Sequence, residues 1–406
     1  MAGNNGNNTV YTSTGNDTAL GGDGVDSFLL GAGNNSVMGG NGLTSVEVGG
    51  NDTMRLGLGS AIVYVDPLAP GATELIHGTS HTTVPTGAGS YNLVFINGSG
   101  ASTVLGGGAG SYHILAGVGG GVYTGATGGN NDIVAGSGAV TLIGGGDNDF
   151  LQGGSGTNLI KAGNGGTVFV NSGSGAASIV SGSGRDYIQA IGADTIKLGH
   201  GFSLVDATGA PATVSALIQG ASSVNTGSNY SLQFIGGAGA ATILGGAGRY
   251  NIAAGSGGGE FHAGSAGFNN ISGTGAMTIF GGGDGDYLQA GDSGNNVITA
   301  GSGTEVLSAG MGNATLIGNT NKADFSFQNI GTLAGAYTVE GFHAGDLTHF
   351  ADAATASYAL NHYDVSRGAS GTITLADNTT IVLQNYLGTL GTQTGYNGGP
   401  HTDLVT

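Results

Sequence analysis

The chain contains no cysteine. Disulfides, thiol catalysis and thiolate metal ligation are therefore excluded. It has no tryptophan and only 5 prolines in 406 residues, and its 89 glycines follow no strict every-third period. A collagen-like triple helix is excluded on that ground. Charge is scarce as well, with 25 acidic and 7 basic residues giving a net charge of −18. Such a surface repels polyanions, so neither a nucleic-acid partner nor insertion into an anionic membrane is expected. No apolar run approaches the ~20 residues that a membrane-spanning helix needs. The opening Met1-Ala2-Gly3-Asn4-Asn5-Gly6-Asn7-Asn8 has neither the basic start nor the apolar stretch of a cleaved export signal. Hydrophobic residues nevertheless make up 39% of the chain, enough to build a core, so disorder is not expected.

What the chain does have is a nine-residue period. Gly21-Gly22-Asp23-Gly24-Val25-Asp26-Ser27-Phe28-Leu29 fits G-G-x-G-x-D-x-U-x, where U is apolar. The sixth position of this unit reads Asn8, Asp17, Asp26, Asn35, Thr44 and, after a one-residue deletion, Asp52. Later runs place Asp149, Asn158, Thr167, Ala177 and Asp186 there, then Asp286, Asn296, Glu305 and Ala314. The glycines permit a tight turn with close backbone approach. The x-U-x segment is a short strand with one side chain pointing inward. No unit can bury that side chain alone, so the units must stack, two to a coil of about 18 residues. The fold class expected is all-β, a parallel β-solenoid or β-roll. The aromatics, 14 Tyr and 13 Phe, are expected mostly in the core, at positions such as Phe28, Phe150 and Tyr287.

A longer duplication overlies the short period. Tyr91-Asn92-Leu93-Val94-Phe95-Ile96 matches Tyr230-Ser231-Leu232-Gln233-Phe234-Ile235. Gly144-Gly145-Gly146-Asp147-Asn148-Asp149-Phe150-Leu151-Gln152 matches Gly281-Gly282-Gly283-Asp284-Gly285-Asp286-Tyr287-Leu288-Gln289. Four segments follow: N-terminal coils over 1–38, a first solenoid copy over 39–180, a second over 181–320, and a C-terminal region over 321–406. Stretches 66–90 and 206–229 break the period in both copies. They are expected to protrude, with a helical turn possible over 212–218, and to offer contact surfaces.

From about Lys322 glycine thins and the period stops. Strand alternation is visible in Asp324-Phe325-Ser326-Phe327 and in Tyr337-Thr338-Val339-Glu340-Gly341-Phe342. Residues 351–361 are Ala-rich and suit a helix. Gly371-Thr372-Ile373-Thr374-Leu375 and Thr380-Ile381-Val382-Leu383 flank a turn and suit a hairpin. A solenoid end needs covering, so this region is expected to be a cap.

The repeat, together with Val339-Glu340-Gly341-Phe342-His343-Ala344-Gly345-Asp346 and the hairpin after it, resembles the C-terminal regions of RTX-type exoproteins. Asp403-Leu404-Val405-Thr406 is similar to the acidic-then-apolar tail of some of them. The resemblance implies a β-roll, calcium between turns one coil apart, and type I export without a cleaved leader. It also implies which carboxylates would ligate the metal: Asp17, Asp23, Asp26, Asp147, Asp149, Asp186, Asp284 and Asp286. Two readings of the sixth position stand side by side. On one side of the coils it runs Asn8, Asp26, Thr44, and on the other Asp17, Asn35, Asp52. Asp149 would face Thr167, and Thr167 would face Asp186. No two neighbouring coils on one side both carry Asp, so calcium sites would hold little charge. The alternative is a hydrogen-bonded turn ladder without metal.

Signals of chemistry are weak. Gly291-Asp292-Ser293-Gly294 resembles a serine-protease nucleophile motif, but the other copy reads Gly154-Ser155-Gly156, and a repeat turn with one inserted residue explains both. The nine histidines form no H-E-x-x-H. His343, His349 and His362 are expected to pack in the cap. The functional expectation is therefore a secreted structural protein that associates with itself and is not an enzyme. It would form a surface layer, filament or biofilm matrix, extracellular or at the cell surface. The alternatives are an adhesin binding cell-surface glycan and a polysaccharide-processing enzyme or its accessory module.

Overall fold

A computed structural model describes residues 5–57, 61–65, 75–77, 93–97, 99–106, 110–209, 216–219, 230–327, 335–366, 368–394 and 402–405. Among these residues the chain forms forty strands and one helix. It divides into two compact units, Met1–Ser203 and Leu204–Thr406.

Each unit is built from coils that stack in register. In the first, strand Asn8–Tyr11 pairs parallel with Asp26–Leu29, which pairs with Thr44–Val48. The alternate strands Thr18–Leu20, Ser36–Met38 and Thr53–Arg55 form the opposite sheet in the same way. The offset between Asn8 and Asp26 is 18 residues, so two nine-residue units make one coil as the period requires. The apolar eighth position turns inward. Phe28, Val37, Val46 and Met54 are each at most 1% exposed, Val46 stacked on Phe28 in one sheet and Met54 on Val37 in the other. Such layers are the core, and each exists only because its neighbours cover it.

The turns explain the glycine. A Cβ on Gly182 would fall onto the carbonyl of Gly163 one coil below, so only a bare backbone permits that stacking distance. At the Asp-x-Asp turn tip, Asn148 and its counterpart Gly285 both adopt left-handed backbone, with φ of 56° and 78°. Asn and Gly are the residues that tolerate this conformation.

Three expectations change. First, the coils do not stop near 321. Strand Ala323–Phe327 pairs parallel with Glu305–Ser308 and then with Leu347–Phe350, while Ala336–Glu340 continues the other sheet. The glycines thin there because the connections lengthen, while the stack goes on. The cap begins after Phe350, with helix Ala353–Asn361 started by the Asp352 side chain on the Thr355 amide. The hairpin of Gly371–Thr374 and Thr380–Leu383 follows. Second, Ala216–Gln219 is a strand of the coil stack; the helical turn expected over 212–218 is absent there, and 210–215 lie outside the described residues. Third, Phe28 is buried, but Phe150 is 39% exposed and Tyr287 36%. Both occupy the seventh position, and Leu151 and Leu288, each fully buried, fill the eighth.

Candidate metal centre

The sixth position has one recurrent geometry. In the first unit, Asp149 is fully buried. Its Oδ2 accepts the turn amides of Gly145 and Gly146 at 2.8 and 3.1 Å. Its Oδ1 accepts both the backbone N–H and the side-chain Nδ2 of Asn131, one coil earlier, at 2.9 and 2.7 Å. In the second unit Asp286 repeats this with Gly282 and with the backbone and side chain of Asn269, at 2.8, 2.8 and 2.7 Å. Asp26 does so with Gly22 and Asn8, and Asp52 accepts both donors of Asn35. Burial pushes the carboxyls of Asp149 and Asp286 up from their ordinary range, and the amide donors pull them back down.

The turn tips form a second ladder, more exposed. Asp147 Oδ1 accepts the Gly166 amide one coil on. Asp284 Oδ1 accepts Thr304 N–H at 2.7 Å, and Asp23 Oδ1 accepts Asn41 Nδ2 at 2.7 Å. Asp17 is half-buried, and its backbone N–H donates to Asn35 Oδ1 at 3.1 Å. Thus Asp147 lies in the same turn as Asp149, Asp284 in the same turn as Asp286, and Asp23 in the same turn as Asp26. Asp17 lies on the other sheet.

Asp186 is held differently from the expectation. Strand register sets Val168, not Thr167, between Asp149 and Asp186. The Gly163-Asn164-Gly165-Gly166 turn carries one residue more than the nine-residue unit, which shifts the count. Asp186 therefore faces a valine and keeps the Gly182 amide at 3.1 Å. Burial pushes its carboxyl up to about 6.

One coupling was not legible by comparing aspartates alone. Tyr287 pairs with Val306, which stacks Glu305 directly on Asp286. Glu305 is 1% exposed, and both its oxygens lie 2.8 Å from the Gly301 amide. Burial first, then the charges of Asp286 and Asp284, push its carboxyl up to about 7. The sixth-position pattern does contain Glu305, so the signal lay in counting carboxylates of either length. Asn131 and Asn269 were missed: Asn131 lies 18 residues before Asp149, in phase with it but ahead of the run that the sequence shows from Asp149 onward, and Asn269 lies 17 residues before Asp286, one short of two nine-residue units. Asp346, fully buried and accepting the Ala323 and His343 amides at 2.8 Å each, extends the ladder into the region read as cap.

These arrangements differ in what they can do with a cation. Calcium takes about six to eight oxygen ligands and no N–H groups. The Asn131 side chain is saturated. Its Oδ1 accepts Tyr112 and Ala126 amides at 3.0 and 2.9 Å, and its Nδ2 donates to the Ala126 carbonyl and to Asp149. Turning it to offer oxygen to a metal would disturb four buried bonds. Asn269 is saturated in the same way. On the asparagine side of Asp26, Asp52 and Asp149, and on the Asn269 side of Asp286, the amide therefore already supplies what the metal would. The turn pair of Asp284, Asp286 and Glu305 does fit. Carboxylate lies on carboxylate there, and the resulting repulsion is what a divalent cation relieves. Among the described residues no three His, Asp or Glu side chains already converge as a metal cluster, so a cation at this turn would draw the carboxylates inward.

Elsewhere the histidines are engaged in packing and local pairing. His343 and His349 lie 3.7 and 3.6 Å from Asp346 and Asp324, and His362 stacks on Tyr358. Ser293 donates to the Thr274 carbonyl at 2.9 Å, one coil earlier, as a repeat turn requires. Stretches 66–90 and 206–229 lie for the most part outside the described residues. No helix among the described residues is long and apolar enough to cross a membrane.

The family model of the RTX calcium-binding nonapeptide repeat (4 copies) matches residues 2–42, 125–160 and 280–316. These segments hold Asp17, Asp23, Asp26, Asp147, Asp149, Asp284, Asp286 and Glu305; Asp186 falls outside them. No curated protein and no solved structure matches the chain.

Proposed function

We propose that this RTX-type repeat protein, whose repeat is a calcium-binding motif, is a secreted, extracellular structural protein that assembles with copies of itself. It would serve as a surface-layer, filament or matrix component rather than as an enzyme, exported by the type I route through its C-terminal region. The observation that carries this reading is the outer surface of the coils. Large apolar side chains stand outward on the flat sheets, among them Tyr11, Ile62, Phe150, Phe169 and Tyr287, each more than a third exposed. Charged residues make up only 8% of the chain, so few groups oppose contact between such faces. Calcium would be held by Asp284, Asp286 and Glu305, where it would draw two turns of the second unit together and so stiffen the scaffold. Negative-stain microscopy and light scattering of the purified protein, with calcium and with chelator, test the proposal. Sheets or fibres are expected. A particle that stays monomeric at every concentration in both conditions would refute it.

A further inference from the structure

The last coils of the first unit gather positive charge on one edge. The chain has 7 lysines and arginines in all, and Lys161, Arg185 and Lys197 fall on three successive coils. Lys161 ends strand Asn158–Lys161, and Lys197 ends Thr195–Lys197. Both stand in register with Val180, which lies between them, so they are two rungs apart, about 10 Å. Arg185 opens strand Arg185–Gln189 on the middle coil, across the 181–184 turn from Val180. All three side chains are exposed, and among the described residues none of them forms an ion pair. The Arg185 guanidinium lies over the Phe202 ring at 5.6 Å, which holds it toward the third coil and leaves its N–H edge free to donate. Acids are missing from the same surface. From Phe150 to Ser203 the sequence contains only Asp186 and Asp194, which are 1% and 2% exposed. Other turn tips carry an exposed Asp23, Asp147 or Asp284, whereas the turns 162–166, 181–184 and 198–201 carry no acid. Asp147, one turn earlier, is already engaged by the Gly166 amide.

We infer that this edge binds a linear acidic polysaccharide, with successive carboxylates taken by Lys161, Arg185 and Lys197. The site lies within one copy and does not depend on the proposed self-association. The net charge of −18 belongs to the whole chain. Screening falls off over about 8 Å at physiological ionic strength, so acids several coils away contribute little here. Charge complementarity selects an anion, and three observations select which one. A second copy offers no matching strip, because among the described residues no three successive coils each carry an exposed acid at their turns. Single-stranded nucleic acid needs aromatic faces for its bases. The side chains that stand outward beside the two lysines are Leu159, Ser178, Val180 and Thr195, none of them aromatic. A duplex sets one charge in every ~1.7 Å of its axis, a density that three cations on an acidic chain do not balance. An acidic polysaccharide instead spaces single carboxylates among neutral hydroxyls. The Arg185 fork suits a carboxylate, the two lysines act as point charges, and the exposed Ser178 and Thr195 hydroxyls can bond the sugar hydroxyls between them.

The test is isothermal titration calorimetry of the full chain with oligogalacturonate, in calcium and in chelator, with circular dichroism to verify the fold of each protein. The variants are the double substitution Lys161→Gln with Lys197→Gln, the single substitution Arg185→Gln, and Arg55→Gln in the N-terminal coils as a control. Wild type and Arg55→Gln are expected to bind alike, and to bind more weakly as salt is raised. The double variant is expected to bind at least about tenfold more weakly than wild type, and Arg185→Gln to fall between them. No binding by wild type, or equal binding by the double variant, would overturn the inference. Equal binding of neutral dextran would overturn it as well, because charge would then not be what the edge reads. Tighter binding of a single-stranded DNA of equal charge would assign the edge to nucleic acid instead.

Discussion

Replacing Glu305 with Gln gives the sharpest check of the electrostatics in the second unit. The folded protein holds this carboxyl at about 7 against an ordinary 4.5. At about 1.4 kcal/mol for each factor of ten, keeping it ionised costs the fold roughly 3 kcal/mol. The side chain is 1% exposed, so solvent screening does not reduce that figure much. The sign follows from proton counting. Between pH 4.5 and 7 the folded chain binds the proton and the unfolded chain does not. The group's favourable share is therefore complete below 4.5 and is lost as pH rises through about 7. Asp186, raised to about 6, adds to the same fall in both proteins and cancels in the comparison. Glu305→Gln keeps an acceptor for the Gly301 amide and cannot ionise. Thermal melts of the full chain in chelator should show little difference between variant and wild type near pH 4.5. Near pH 8 the variant should melt higher, by several degrees at about 2–4 °C per kcal/mol. Calcium should raise the wild type most at pH 8 and the variant much less, since one of three carboxylates is gone. Equal pH dependence of the two proteins in chelator would refute the argument.

Further outcomes follow from the same geometry. Asn131→Asp sets a second carboxylate against Asp149 and removes two side-chain donations; it should cost about 3 kcal/mol in chelator and create a calcium-dependent rise in melting temperature at that turn, and an unchanged melt would show that the amide rung carries no weight. Leu151→Ala should cost about 2–5 kcal/mol as a core truncation, whereas the neighbouring Phe150→Ala should stay within about 1 kcal/mol; denaturant melts giving the reverse order would place the aromatic inside. Asp149→Ala strands the Asn131 and turn amides and should cost about 3 kcal/mol or more, while Asp147→Ala, at the exposed tip of the same turn, should cost well under half of that in the same melts.

The coil architecture was legible because glycine turns and inward apolar residues recur at a fixed spacing, and each is required by close stacking. Several exceptions came from single-residue changes in turn length. One extra residue in the Gly163–Gly166 turn moved Val168 into the place expected for Thr167, and one residue fewer than a full coil separates Asn269 from Asp286, whereas Asn131 stands in phase with Asp149, 18 residues before it. In a strand a shift of one residue exchanges inside for outside, which is also why Phe150 and Tyr287 were assigned to the core. The coils of 323–350 were hidden for another reason. Their turns are longer and poor in glycine, yet Asp346 closes one of them as Asp286 closes its own turn. The metal question was posed correctly by the sequence, which left calcium and an amide ladder both open. The structure distributes the two answers over different turns, because what decides is whether the group facing each carboxylate is an amide or another acid.

The way the second unit finishes its stack bears on how copies can meet. Strand Thr402–Val405 joins Leu347–Phe350 antiparallel, and Gly371–Thr374 runs antiparallel to Thr380–Leu383. Leu347–Phe350 would otherwise hold open amides and carbonyls toward any foreign strand. Thr402–Val405 covers them and is covered in turn by Gly391–Thr394. Among the described residues that sheet thus ends on a strand of four residues, and so short an edge is a poor template for strand addition by another chain.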